Sequence, residues 1–76
     1  MVSYREYIKH RAELLRQADR AANGSICKNI GRLIHEQASV VSGLLSDGSV
    51  KQARVEVGRL ISYVEYRNMC GRSPKT

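Results

Sequence analysis

The sequence predicts an all-α protein, a small antiparallel three-helix bundle, and three observations carry that expectation. Two four-residue segments, Asn23-Gly24-Ser25-Ile26 and Asp47-Gly48-Ser49-Val50, share one pattern and divide the 76 residues into three parts of similar length. Between them, apolar residues recur with the helical period of about 3.6 and not with the period of two that marks a strand. Each segment also reads as a helix stop followed by a helix start. Gly takes the left-handed conformation that ends one helix, and Ser accepts from the orphaned amides of the next. Asn-Gly and Asp-Gly open β-hairpins as well, but the flanks here do not alternate.

The first helix is expected over about 4–22. Ser3 is its N-cap, Glu6 completes a capping box, and Val2 and Tyr7 occupy the positions of a hydrophobic staple. At about 100° per residue, Tyr4, Tyr7, Ile8, Leu14, Leu15, Ala18, Ala21 and Ala22 gather on one face. The second helix, 26–46, places Ile26, Ile30, Leu33, Ile34, Ala38, Val40, Val41, Leu44 and Leu45 on an apolar arc roughly 160° wide, enough for two neighbours. The third, 50–70, follows a second capping box, Ser49 with Gln52, and carries the narrower stripe Val50, Ala53, Val57, Leu60, Ile61 and Val64. Gly71 ends it, and 72–76, with Pro74, form a loose polar tail. Short turns favour antiparallel neighbours, hence the up-down-up bundle, one domain over 1–76. The alternative is a long helical hairpin completed by dimerisation: the apolar phase of helix 1 runs on through Ala22 and Ile26, and Gly24 costs a continuous helix only about 1 kcal/mol.

Thirteen Lys and Arg against seven Asp and Glu give a formal charge of +6, so an acidic partner is expected: a protein surface or, second, DNA or RNA. Apolar runs of two or three residues are too short to enter a bilayer core, and no membrane insertion is expected. Two cysteines make no disulfide framework, and the N-terminal stretch is unlike a signal peptide, so a cytoplasmic location follows. Cys27 and Cys70 would sit at similar heights in a helix 2–helix 3 hairpin, where a bridge is conceivable. In a reducing compartment they are expected as half-buried thiols.

Three features are candidates for binding. Arg5, Lys9, Arg16 and Arg20 fall within about 60° of one another, a basic stripe roughly 20 Å long on the side of helix 1 away from its apolar face. Glu6, Glu13 and Asp19 temper it through helical ion pairs. Arg11 sits in the middle of the apolar face. Either its stem packs while its head snorkels or pairs with Glu36 or Glu65, or it anchors a partner. Val55, Gly58, Ser62, Tyr66 and Met69 form a second stripe on helix 3, whose small central residues would admit another helix, a candidate partner or dimer face. The Asn23-Gly24-Ser25 sequon matters only to a secreted chain.

Catalysis, metals and cofactors are not expected. No phosphate-cradling glycine loop, nucleophile elbow or paired acids appear. Cys27, Cys70, His10 and His35 lack the spacings that gather four zinc ligands, and both histidines lie on polar faces. The expected function is therefore a non-catalytic protein–protein interaction module, a small basic adaptor or inhibitor, self-associating, of a size common among phage and mobile-element accessory proteins. The alternative is nucleic-acid binding by phosphate contacts from the basic stripe with Arg67, Arg72 and Lys75. Helices of about twenty residues are long for a helix-turn-helix domain, and no recognition helix stands out.

Overall fold

The computed structural model describes residues 3–71, and they form an all-α bundle: α1 Tyr4–Ala21, α2 Ser25–Lys28, α3 Ile30–Ser46 and α4 Val50–Gly71. Val2, and with it the expected staple, and the tail 72–76 lie outside the described residues. α1 starts as the sequence predicts. The Ser3 hydroxyl accepts from the Glu6 amide at 3.2 Å, and the Glu6 carboxylate accepts from the Ser3 amide at 3.2 Å.

Both turns close by the same hydrogen-bond pattern. Gly24 N–H reaches the Asp19 carbonyl at 2.9 Å, and Ser49 N–H reaches the Leu44 carbonyl at 2.9 Å, each a six-residue closure that satisfies the end of a helix. The left-handed residues are Asn23 and Gly24 in the first turn and Gly48 in the second. α1 and α3 are thus separate helices, not one continuous rod. The serines do less than expected. Gly24 is the N-cap of α2, and the side chains of Ser25 and Ser49 make no hydrogen bond among the described residues, so the second capping box does not form.

The expected second helix is split at Asn29, whose φ of −105° and ψ of 13° interrupt the spiral. Its side-chain amide donates to the Ser25 carbonyl at 2.8 Å. A short polar side chain that bonds its own backbone competes with regular helix, and here it sets α2 off as a single turn.

α4 lies between the other two long helices. α1 packs along one side of it and α3 along the other, while the α1 and α3 backbones have no close approach to each other among the described residues. α1 runs parallel to α4, with Tyr4 beside Gly58 and Asp19 beside Tyr66, and α3 runs back, with Gln37 opposite Glu56. The up-down-up course holds, within a plate of 46 × 32 × 19 Å. The core gathers at one end, where Ala12, Ile30 and Tyr66 are buried among Leu15, Ile26, Leu33, Ile34 and Tyr63.

That end is organised by Asp19. Its side chain is only 4% exposed, and its carboxylate accepts from the Ile26 amide at 2.8 Å, the Cys27 amide at 3.0 Å and the Tyr66 hydroxyl at 2.5 Å. It caps α2 and pins α4 with the same two oxygens. Burial is the largest influence on its pKa and pushes it upward, but the hydrogen bonds from Tyr66, Ile26 and Cys27 outweigh it and hold the group below 3.8. Burial and the Asp19 contact push Tyr66 up to about 12. Asp19 is therefore not part of the solvated face on which its ion-pair spacing to Arg16 placed it. α1 is turned so that Ile8, Ala12 and Asp19 point inward, and Tyr4 and Leu14 stand 58% and 47% exposed.

Cys27 and Cys70 form a disulfide, with their Cα atoms 6.2 Å apart, so the expectation of two free thiols is corrected. Their half-buried sulfurs join the α2 turn to the end of α4, beside the Asp19–Tyr66 bond. The expectation of free thiols followed from a reducing compartment, whereas a disulfide is typical of an oxidising one. No helix among the described residues is long and apolar enough to cross a membrane.

Two measurements test this end of the molecule. The disulfide spans a sequence separation of 43 residues, and constraining a loop of that size stabilises the fold by about 4 kcal/mol in the chain-entropy treatment. Cys27→Ser/Cys70→Ser should lower the urea-derived unfolding free energy by an amount of that order, and reducing the wild-type chain should match it. The Asp19–Tyr66 pair sets the pH limits. Asp19 is lowered from 3.8, so its contribution is complete above that pH and is lost as pH falls through its depressed folded value. Tyr66 is raised from 10.0 to about 12, so its contribution is complete below pH 10.0 and is lost as pH climbs through about 12. Urea midpoints across pH should show both limbs, and Tyr66→Phe should flatten the alkaline one.

Candidate functional site

The stripe Val55–Gly58–Ser62–Tyr66–Met69 was a candidate surface for a partner, and its partner proves to be α1. Ser62 is 1% exposed and Tyr66 6%, and Gly58 is buried. α1 of the same chain reaches Gly58 through its tyrosines: a Cβ there would lie 3.6 Å from Tyr7 Cε2 and 3.8 Å from Tyr4 Oη, ordinary van der Waals distances. Ser62 turns its hydroxyl back to the Gly58 carbonyl at 2.8 Å, and Met69 packs against the core. Val55, 64% exposed, is the one member left at the surface.

Burying that stripe leaves another side of α4 open. Val50, Arg54, Val57, Ile61, Glu65 and Asn68, three and four apart, trace one line along the helix, and each lines one of two clefts. The larger, about 460 Å³, lies between α1 and α4, with Ile8, Ile61 and Met69 as apolar lining and Arg5, Lys9, Glu65 and Asn68 as polar lining. The smaller, about 290 Å³, is bounded by Leu45 of α3, by Val50, Ala53, Arg54 and Val57 of α4, and by Tyr4. Tyr4 belongs to both, so the two are neighbours along one face.

The basic stripe is thereby divided. Arg5 and Lys9 line the α1–α4 cleft, and no acid among the described residues lies within ion-pair distance of either. Arg16 is held by Glu13, whose Oε2 accepts from Nη2 at 2.6 Å and from Nε at 3.0 Å. That pairing lowers the Glu13 pKa and raises that of Arg16. Arg20 stands exposed at the far end of α1, away from the cleft lining.

Arg11 neither sits in the centre of a buried face nor pairs with Glu36 or Glu65. Glu36 faces Arg32 at 3.7 Å instead. Because α1 is turned toward Asp19, Arg11 is half-buried beside Tyr7, its guanidinium carbon 5.8 Å from the ring centroid, in the range of a cation–π contact. Its Nε is buried without a hydrogen-bond partner.

Sequence reasoning assigned Tyr4, Val50 and Ile61 to the core, yet all three line the clefts. The missed residue with the largest consequence is Asp19. Its helical angle lies beside those of Ile8, Ala12 and Leu15, and that was the available sign that it faces inward.

The orphaned Nε generates a prediction. An unsatisfied buried donor costs about 1–3 kcal/mol, whereas an exposed cation–π contact returns about 0.5–1 kcal/mol. Arg11→Met keeps a long unbranched apolar side chain and removes the orphan, so it should leave unfolding stability unchanged or raise it by up to about 1 kcal/mol, read by urea denaturation. A clear loss would mean that the guanidinium has a partner. No family model matches the chain, and neither a curated protein nor a solved structure matches it.

Proposed function

We propose that this chain is a non-catalytic protein–protein interaction module, a small basic helical adaptor or inhibitor, and that the open side of α4 is its working surface. The observation that carries this reading is the pair of adjoining clefts, with apolar lining from Ile8, Ile61, Val50 and Val57 and cationic lining from Arg5, Lys9 and Arg54. Apolar residues at the centre and charges around them are the composition of a protein-binding patch. A phosphate-tracking surface needs a run of free cations and no apolar floor. Arg16, in the middle of the basic stripe, is already bound to Glu13, which weakens the nucleic-acid alternative. Self-association has lost the face first assigned to it, since α1 covers Gly58, Ser62 and Tyr66.

Light scattering on a size-exclusion column separates the two classes. With and without a mixed-sequence DNA duplex at physiological salt, the expected mass is that of one chain, 8.5 kDa. A heavier complex with the duplex that dissolves log-linearly as salt rises would overturn the protein-module reading in favour of phosphate binding.

A further inference from the structure

We infer that the open side of α4 receives an amphipathic α-helix of another protein, one whose apolar stripe is flanked by carboxylates; this rests on the interaction-module reading and names its partner. The clefts supply the shape. The line from Val50 to Asn68 spans 18 residue steps, about 27 Å at 1.5 Å per residue, which matches an occupant helix of about five turns. Tyr4 and Leu45 flank its first half, and Ile8, Lys9 and Arg5 flank its second.

Backbone chemistry selects a helix over an extended strand. Every wall of the groove is helical, so beyond the first turns of α1 and α4 its main-chain amides and carbonyls are paired along their own helices. No free edge exists there for β-strand addition, and recognition must proceed through side chains packed at i, i+3, i+4 and i+7. Val50, Val57 and Ile61 repeat at that spacing, and Tyr4, Leu45 and Val50 are more than half exposed.

Charge selects the partner's chemistry. The groove is lined by Arg5, Lys9 and Arg54 against a single acid, Glu65. A second copy of this chain carries a formal +6 and would bring the same cations to the same groove, so like charges oppose a symmetric dimer through this face. Carboxylates on the occupant would meet Arg5 and Lys9, which stand four residues apart on one turn-to-turn line of α1.

The test uses the full-length chain and two designed 18-residue helical peptides with the same leucine stripe, one flanked by Glu and one by Lys. In amide-resolved NMR titrations at physiological salt, the Glu peptide should shift Tyr4, Lys9, Ile61 and Glu65, and the Lys peptide should not. Arg5→Glu/Lys9→Glu should weaken the Glu peptide on the order of tenfold or more, whereas Arg20→Glu should leave it nearly unchanged. Ile61→Asp, a change at a partly exposed position whose folding circular dichroism can check, should abolish the shifts. Equal binding of both peptides, or no binding of either, overturns the inference. Shifts from the Glu peptide that map to Arg16 and Arg20 overturn the groove but leave the interaction module standing. Shifts at Arg5 and Lys9 from a DNA duplex, with none from either peptide, overturn both.

Discussion

A single buried carboxylate sets the geometry of this protein. Asp19 carries charge into the core, which is tolerable only when both its oxygens find donors, and α2 and Tyr66 supply three. Meeting those donors turns α1 about its axis. Ile8 and Ala12 follow Asp19 inward, Arg11 moves to the flank above Tyr7, and Arg5 and Lys9 come to line the cleft against α4. The lining of the α1–α4 cleft and the capping of a four-residue helix thus both follow from where Asp19 sits.

The second constraint is the central place of α4. α4 packs against both α1 and α3. Gly58 and Ser62 face α1, while Ala53 is buried and Gln37 of α3 binds the Glu56 carbonyl at 3.0 Å and its carboxylate at 2.6 Å. With both flanks taken, the line from Val50 to Asn68 faces the two clefts. A chain this short cannot cover every apolar side of a middle helix, and the same scarcity explains why the dense core is confined to the end that the Cys27–Cys70 bond and the Asp19–Tyr66 pair hold together.

Much of this was legible in the sequence, and the residues show where legibility stopped. Ser3 and Glu6 specify the start of α1 through bonds three residues apart, and Gly48 and Asn23 with Gly24 specify the turns through backbone freedom, so both read directly from neighbours in the chain. The basic stripe is also a local property of α1, and Arg5 and Lys9 do line a cleft. The break at Asn29 was equally local, but an Asn inside a strong apolar period carries too little contrast to mark a helix end. The Val55–Met69 stripe was expected as a partner or dimer face, but α1 covers most of it, because periodicity reports which face is small and apolar and never what lies against it.

The amino-acid sequence by itself determined that this protein is helical, where two glycine turns separate its long helices, and that its charge is basic, since each depends on contacts within a few residues or on none. Only the tertiary structure decided the rotation of α1, the burial of Asp19, the pairing of Cys27 with Cys70 and which side of α4 stays open. The physical reason is that a hydrophobic period gives a helix a direction with an uncertainty of tens of degrees, whereas one buried carboxylate with three donors tolerates much less. Where the two differ, α1 buries Asp19 against its three donors and leaves Leu14 and Tyr4 exposed.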